Sequence, residues 1–191
     1  GVDGAGILFG ARLFGIRVPG RVTGVDLMME VLALCAREGW RPYLLGATPA
    51  VLDAAVARLK ALHPDLVLAG YRDGYFAPGD EPAIAAAIAA TGADCLFIGM
   101  PTPRKERFLA RFRDSMGVPF LMGVGGSIDV LAGHVRRAPA WMQDSGLEWM
   151  FRLLQEPRRL WRRYLSSSLA YAVILLRAAF GRLPPSARPP D

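Results

Sequence analysis

Two kinds of apolar pattern alternate along the chain. Short continuous apolar runs bounded by glycine or proline predict buried strands, and apolar residues spaced three or four apart predict helices. The predicted strands are RPYLLG (41–46), DLVLAG (65–70), DCLFIG (94–99) and VPFLMGVGG (118–126). The predicted helices cover residues 26–38, 49–62, 81–91 and 104–116. This alternation favours βαβ crossovers, and therefore an α/β fold with a mostly parallel sheet and helices on both faces.

Capping residues mark the ends of several of these helices. Asp26 is a possible N-cap of the first helix, and Gly39 ends it. Thr48 followed by Pro49 is an N-cap with proline at the first helical position. Asp80 can cap the third helix, which Gly92 ends.

Beyond His134 the alternation stops and the sequence reads as helical, with Pro157 dividing two helices. Arginine and aromatic residues at 158–164 precede the apolar segment 165–176. That segment is too short, and too soon interrupted by Arg177, to predict a transmembrane span, so we interpret it as an interfacial helix. The expected divisions are a catalytic body (1–135), a basic, membrane-associating helical appendage (136–183) and a disordered tail (184–191).

The charged residues are distributed unevenly between the two parts of the chain. Residues 1–135 hold 13 Lys+Arg against 13 Asp+Glu, so the net charge of +6 arises beyond them, where ten arginines oppose four acidic residues. A neutral body with a basic end favours an anionic partner: lipid headgroups, phosphates or nucleic acid.

Cysteine and histidine usage narrows the possible chemistry. Cys35 and Cys95 lie in apolar runs without metal or redox spacing, so we expect reduced core thiols and a reducing compartment. His63 and His134 complete no ligand set with them, so no metal is predicted. The N-terminus has no basic n-region and no long apolar core, which argues against a signal peptide; it starts abruptly, as if inside a longer protein.

Ligands of parallel sheets bind beyond the carboxyl ends of the strands. We therefore expect Gly46 and residues 71–76, 99–105 and 123–129 to gather at one edge of the sheet. In GVGGSID, Gly125 and Gly126 have no side chains, so their backbone N–H groups could approach an anion closely. The Asp129 carboxylate could bind a ribose or a base. A plain tight turn explains the same glycines, and Ile128 breaks the dinucleotide fingerprint.

Three further candidate sites also have purely structural explanations. Tyr71 and Tyr75 of GYRDGYF can stack on a base, or pack on the core as an ordinary aromatic turn. In GMPTPRKE, Arg104 or Lys105 can touch a diphosphate, or the segment is a helix start with solvated charges. Asp3 of GVDG is a lone carboxylate of a kind that often only shapes a turn.

Taken in order, these blocks resemble a known family. The blocks that carry this resemblance are VDGAG, RVTGVDL, LLGATP, HPDLVLAGYRDGYF, IGMPTPRKERF, GVGGSIDVLAG and RRAPAWMQDSGLEWMFRLLQEPRR. Over nearly the whole chain they resemble the WecG/TagA/CpsF glycosyltransferases (glycosyltransferase family 26). The resemblance implies a Rossmann-like sheet with an arginine-bearing appendage, and inverting transfer without a metal or other cofactor. The implied reaction moves N-acetylmannosamine, its uronic acid or glucuronic acid from UDP to a polyprenyl-diphosphate-linked saccharide, in cell-surface polysaccharide or teichoic acid synthesis.

The resemblance also implies roles for individual residues. Asp3 matches the proposed general base. Lys105 stands where the family's PxQE motif has glutamine, so an amide contact to sugar or diphosphate becomes cationic. Tyr75 and Asp129 match residues proposed to hold the uridine. The appendage arginines thought to meet donor or acceptor phosphates match Arg152, Arg159 and Arg162.

Family members normally carry several dozen residues before the DG motif, so we expect an N-terminal part of the catalytic domain to be missing here. The expected partners are a UDP-sugar, the lipid-linked acceptor and an anionic membrane on the cytoplasmic side, without nucleic acid; a homo-oligomer stays open.

Two other functional classes also stay open. A nicotinamide-dependent oxidoreductase would have the same alternation, but this chain lacks the glycine pattern that such an enzyme requires. A nucleotide- or lipid-binding module without transferase activity would give the glycine loops and the GYF segment no role.

Overall fold

A computed structural model of the protein describes residues 10, 15–16, 22–155 and 157–179. The chain divides into two compact units. We call residues 23–136 the sheet unit, and the described residues before 23 and after 136 the helical unit. The predicted division into catalytic body, appendage and tail stays a prediction.

The sheet unit alternates helices and strands. Their order is α1 (Gly24–Glu38), β1 (Pro42–Gly46), α2 (Pro49–Leu62), β2 (Gly70–Arg72), a 3-10 turn (Pro78–Asp80), α3 (Glu81–Ala90), β3 (Cys95–Gly99), α4 (Arg104–Met116), β4 (Phe120–Gly123) and α5 (Ser127–Leu131). The strands form one parallel sheet in the order β2-β1-β3-β4. The predicted α/β class with a parallel sheet is confirmed.

Helices cover both faces of this sheet. Successive strand residues point to opposite sides, so continuously apolar strands place apolar side chains on both faces. Leu44 and Phe97 lie in one apolar cluster with residues of α1, α2 and α5. Leu45 and Ile98 lie in a second cluster with residues of α3 and α4. All four side chains are fully buried, and burying a side chain of this kind contributes about 1.5–3 kcal/mol. The two-faced arrangement predicted from the sequence is confirmed.

The cysteines lie in the first of these clusters as predicted. Cys35 and Cys95 are free and buried, with their sulfur atoms 3.7 Å apart. Burial, reinforced by the neighbouring Cys95, raises the pKa of the Cys35 thiol from 9.0 to about 12. Both groups therefore stay protonated thiols at neutral pH.

Helix caps agree with the sequence in part. Thr48 caps α2 by accepting a hydrogen bond from the Val51 amide (3.4 Å), with Pro49 first in the helix, as predicted. The prediction for α1 was wrong, because the helix begins two residues earlier: Thr23 is the N-cap and accepts from the Asp26 amide (3.2 Å). Asp80 precedes α3, but its carboxylate accepts from the Ala77 amide and makes no cap hydrogen bond.

The second strand is displaced from its prediction. It covers Gly70–Arg72, not residues 65–70, and pairs with Tyr43–Leu45. The Ala69 amide still donates to the Pro42 carbonyl (2.9 Å), but Pro42 has no N–H to return a bond, so the ladder cannot extend backward. The apolar run therefore comes close to the sheet at Ala69, but it forms a strand only from Gly70 onward.

The fourth strand is shorter than the run that predicted it. VPFLMGVGG forms a strand only over Phe120–Gly123. Gly125 then adopts a left-handed φ of +52°, which a continuing strand cannot accommodate, and the chain turns into α5.

The helical unit contains α6 (Ala140–Asp144), α7 (Glu148–Gln155) and α8 (Pro157–Ala179). The predicted division at Pro157 is confirmed, since α8 begins there. A further break between α6 and α7 was not predicted; Gly146 adopts a left-handed φ of 73° in it. None of the described helices is both long and apolar enough to cross a bilayer.

Candidate functional site

The topology directs attention to the carboxyl ends of β1 and β3. The chain leaves β1 to form β2 on one side and later forms β3 on the other side, so the loops after these strands diverge. A Cβ added to Gly46 would lie 2.6 Å from the Gly99 carbonyl carbon, and the φ of Gly46 is +134°. Ala47 has a left-handed φ of 59°, a conformation that costs a non-glycine residue about 1 kcal/mol and clusters at functional sites. Gly46 is therefore buried against the end of β3, at the place where a ligand is expected.

The loop after β2 is held against this point. Its Gly74 amide donates to the Ala47 carbonyl (3.0 Å), and a Cβ on Gly74 would lie 3.1 Å from the Gly46 Cα. The Asp73 carboxylate accepts from the Tyr75 amide (2.8 Å), closing a local turn. Tyr75 is 74% exposed, whereas Phe76 packs against Phe108 with ring centroids 6.4 Å apart. The core-packing alternative is therefore wrong for Tyr75, and Phe76 takes that place.

The first turn of α4, which follows the loop after β3, contains two cations with different surroundings. Arg104 faces the loop after β2, donating through Nη1 to the Gly74 carbonyl (3.1 Å) and through Nη2 to the Phe76 carbonyl (2.6 Å). Lys105 donates through Nζ to the Thr102 hydroxyl (3.0 Å). Of the two cations predicted as diphosphate ligands, Lys105 is therefore the better placed.

Lys105 also reaches toward the end of β4. A Cβ on Gly123 would lie 2.6 Å from the Lys105 Cε, so the lysine stem crosses the space that this glycine leaves open. The Lys105 ammonium pairs with the Glu106 carboxylate at 2.7 Å. This hydrogen bond is the main cause that lowers the pKa of Glu106 below its usual 4.5. The ammonium is thus anchored at the edge of the sheet by a residue of its own helix.

The glycine-rich loop after β4 uses part of its backbone internally. The Val124 amide donates to the Ile98 carbonyl (2.9 Å), and the Ser127 amide donates to the Val124 carbonyl (3.0 Å). Those two N–H groups hold the turn and do not point to an anion. A Cβ on Gly99 would lie 3.1 Å from the Gly125 carbonyl oxygen, so this turn packs directly on the end of β3.

Asp129 lies in the first turn of α5 and is half-buried. Its carbonyl oxygen accepts from the amides of His134 (3.0 Å) and Val135 (3.2 Å), which fixes the helix end behind it. Gly126 occupies the N-cap position of the same short helix.

Contacts between neighbouring loops thus bring all four strand ends together in the sheet unit. The loop pairs are joined at Gly46 and Gly74, at Gly99 and Gly125, and at Lys105 and Gly123. The predicted site residues at this edge are Tyr75 in the loop after β2, Lys105 at the start of α4, Gly125 and Gly126 in the loop after β4, and Asp129 at the start of α5. Their individual roles stay predictions.

The remaining predicted residues lie elsewhere. Asp3 falls outside the described residues. Arg152 lies in α7 of the helical unit. Arg159 and Arg162 belong to α8, and their side chains are outside the part of the chain that the structure describes. Within the described residues, no group of three or more His, Cys, Asp or Glu side chains is placed to hold a metal ion.

The fold and the carboxyl edge of the sheet together define the class of the protein: a doubly wound α/β protein whose candidate binding edge combines glycine backbone, an exposed tyrosine and a cation. Comparison with known proteins makes this more specific. The model of the glycosyl transferase WecG/TagA/CpsF family matches residues 1–184, so the chain belongs to this family. The family predicted from the ordered sequence blocks is confirmed.

Two curated relatives share the same printed name, N-acetylglucosaminyldiphosphoundecaprenol N-acetyl-beta-D-mannosaminyltransferase. The one from Bacillus subtilis (strain 168) is 35% identical over 175 residues, which cover 92% of this chain and 67% of the relative. The one from Bacillus spizizenii (strain ATCC 23059 / NRRL B-14472 / W23) is 36% identical over 164 residues, covering 86% of this chain and 63% of the relative. This chain therefore aligns with about two thirds of their length.

Proposed function

We propose that the protein is an inverting glycosyltransferase that moves a sugar from a UDP donor to a polyprenyl-diphosphate-linked saccharide. The observation that carries the proposal is the convergence of four loops at the carboxyl edge of the sheet, in a chain of this family. The names of the relatives favour N-acetylmannosamine as the sugar and a lipid-linked N-acetylglucosamine as the acceptor. Transfer of its uronic acid or of glucuronic acid is the alternative within the same reaction class.

The nucleoside would lie across the loops after β2 and β4. Tyr75 offers an exposed ring for stacking on uracil, an interaction worth about 1–3 kcal/mol per base. Asp129 would accept hydrogen bonds from the ribose or the base, and Gly125 and Gly126 would allow the nucleotide to approach the backbone closely.

The diphosphate requires positive charge where the leaving group develops negative charge. Lys105 supplies a cation in the sheet unit, held at the edge by Thr102 and Glu106. Arginine binds phosphate oxygens through two parallel N–H groups, which suits the further phosphate ligands that we propose. These are Arg152, Arg159 and Arg162.

In the reaction, a hydroxyl of the acceptor saccharide attacks the anomeric carbon from the face opposite UDP. The new glycosidic bond forms as the bond to the UDP oxygen breaks, and the hydroxyl proton passes to Asp3 as general base. For this transfer Asp3 must come within about 3 Å of the hydroxyl. UDP leaves with its diphosphate charge balanced by the cations.

An association with the inner face of the plasma membrane would deliver the lipid-linked acceptor. Along α8, four exposed apolar residues recur at every fourth position and so share one face of the helix. They are Trp161, Leu165, Leu169 and Val173. An exposed apolar face with arginines nearby is typical of interfacial helices, and each basic residue near an anionic surface adds about 1 kcal/mol.

Nucleotide binding is the first test. UDP should raise the melting temperature of the full-length protein, and the enzyme should release UDP from a UDP-sugar when a synthetic polyprenyl-diphosphate acceptor is present. Asp3→Ala should abolish transfer while UDP binding survives; full activity of this variant would remove Asp3 from its role. Stabilisation by NAD in place of UDP would instead favour an oxidoreductase, and binding without turnover would favour a binding module.

Membrane association is tested separately. Leu165→Glu combined with Leu169→Glu should reduce sedimentation with vesicles that contain anionic lipid, because two charges would enter the apolar face. Zwitterionic vesicles are the control for the electrostatic part. Unchanged sedimentation of the double variant would contradict the interfacial role of α8.

A further inference from the structure

We propose that Arg104 is a positioning residue: it holds the loop that carries Tyr75, and so fixes where the base of a bound nucleotide stacks. The inference rests on the proposed function and extends it. It assigns Arg104 a role toward the base, in contrast to its neighbour Lys105, which faces the other end of the site.

The contacts of Arg104 bracket Tyr75 in the chain. Nη1 donates to the carbonyl of Gly74 (3.1 Å) and Nη2 to the carbonyl of Phe76 (2.6 Å), the residues directly before and after the tyrosine. The guanidinium carbon also lies 4.2 Å from the centroid of the Phe76 ring, within range of a cation–π interaction. Both flanking peptide groups are therefore fixed while the Tyr75 ring stays exposed.

The charge of Arg104 is balanced within the same cluster. Its Nε lies 4.0 Å from the Glu81 carboxylate at the start of α3, whose side chain is only 14% exposed. A guanidinium that already binds two carbonyls, a ring and a carboxylate has little capacity left for a phosphate. Its planar fork also explains the residue type, because a lysine ammonium is a single point and cannot span both carbonyls in this geometry.

Two amides of the loop can report on whether it stays closed. The Gly74 amide donates to the Ala47 carbonyl, and the Tyr75 amide donates to the Asp73 carboxylate. Neither hydrogen bond involves Arg104. Faster exchange of these amides therefore measures opening of the loop and not the loss of their own acceptors.

The first experiment measures hydrogen exchange in the full-length protein without ligand. In Arg104→Met, the amides of residues 73–77 should exchange about tenfold faster, since two hydrogen bonds that close the loop are lost. Arg104→Lys should also show faster exchange, because it keeps the charge but not the fork. Arg107→Met is the matched control: it removes an exposed arginine from the same helix and should leave exchange in this loop unchanged. Wild-type exchange in both Arg104 variants would overturn the proposal.

The second experiment compares UDP with uridine. If Arg104 acts through Tyr75, Arg104→Met should weaken both ligands by the same factor, about tenfold, because the contact that is lost is with the base. A loss confined to UDP would make Arg104 a phosphate ligand and overturn the positioning role. Tyr75→Ala combined with Arg104→Met should bind UDP no more weakly than Tyr75→Ala alone; fully additive losses would also overturn it.

Failure of the proposed function gives a different pattern. If wild-type protein binds neither UDP nor uridine, the nucleotide site is wrong, and with it the role toward the base. Faster loop exchange in Arg104→Met would still establish the clamp on the Tyr75 loop. Unchanged exchange together with normal UDP binding would reject the clamp and leave the transferase proposal intact.

Discussion

The two edges of the sheet differ in what the strands present there. At the carboxyl edge, β1, β3 and β4 all end in glycine, and their loops carry charged and aromatic residues. At the amino edge, a pocket of about 360 Å³ is lined almost entirely by apolar side chains. The lining residues are Val31, Leu34, Trp40, Asp94, Cys95, Pro119 and Phe120.

Polar groups at the amino edge are bound to one another. The Asp94 carboxylate accepts from the Arg41 amide (2.7 Å), the Asp94 amide donates to the Arg41 carbonyl (3.0 Å), and the Phe120 amide donates to the Asp94 carbonyl (3.2 Å). At the other edge the Tyr75 ring is exposed, and the Lys105 ammonium is held by Thr102 and Glu106. We infer that the amino edge is structural, whereas the carboxyl edge combines a tightly packed glycine backbone with side chains that serve binding. The predictions below test this contrast.

The largest expected effect is on stability at the carboxyl edge. Gly46→Ala should lower the free energy of unfolding by about 3 kcal/mol, because its Cβ would meet the Gly99 backbone and its φ of +134° disfavours a side chain. Urea denaturation measures this loss. Gly79→Ala is the control, since a Cβ there has no neighbour within 4 Å, and it should change stability by less than about 0.5 kcal/mol. Equal effects would show that the strand ends do not touch as described.

One aromatic residue from each edge should give opposite results. Phe120→Ala at the amino edge should cost about 1–2 kcal/mol of stability, because its ring packs edge-on against Phe97, and should leave UDP affinity unchanged. Tyr75→Ala should weaken UDP binding about tenfold and leave stability almost unchanged. Urea denaturation and calorimetric titration of both variants decide the matter. A loss of UDP affinity in Phe120→Ala would break the contrast.

A smaller effect is expected where Lys105 crosses Gly123. Gly123→Ala should displace the flexible lysine stem at little cost in stability, and weaken UDP binding about fivefold by moving the cation. Titration calorimetry measures the affinity. In a Lys105→Met background the same substitution should have no further effect, and an additive loss would mean that Gly123 acts by another route.

The smallest effect concerns the thiol behind the amino edge. The pKa of Cys35 is raised to about 12 in the folded protein, so from about pH 9 the unfolded chain loses this proton first. The stability that the buried thiol contributes is complete below pH 9 and declines as the pH rises toward 12. Unfolding free energies between pH 8 and about pH 10 should therefore fall less steeply in Cys35→Ala than in the wild type. Identical slopes would contradict the assignment.

Much of the sheet unit was predictable because its signals are local. Thr48 and Pro49 set the start of α2 within one turn, and α4 has the predicted bounds because Arg104–Met116 is amphipathic and ends at Gly117. The start of β2 was not predictable in this way. It depends on Pro42, a residue of another strand that cannot donate a hydrogen bond.

The candidate site was predictable as a place but not in its working parts. The rule for parallel sheets identified the carboxyl edge, and the resemblance supplied candidate roles there. The hydrogen bonds from Arg104 to carbonyls 28 and 30 residues earlier in the chain could not be predicted from the sequence. The residues RK after PTP are equally typical of a helix start with solvated charges. Likewise, the glycine turn gave no sign that the Ser127 amide is used within the turn.

Hydrogen exchange with and without saturating UDP compares the two edges most directly. Binding at the carboxyl edge should slow exchange in residues 71–77, 99–105 and 123–129, and leave residues 40–42 and 118–120 unchanged. Protection of the amino edge, or saturation with UDP without protection of the carboxyl-edge loops, would contradict the site proposed for this protein.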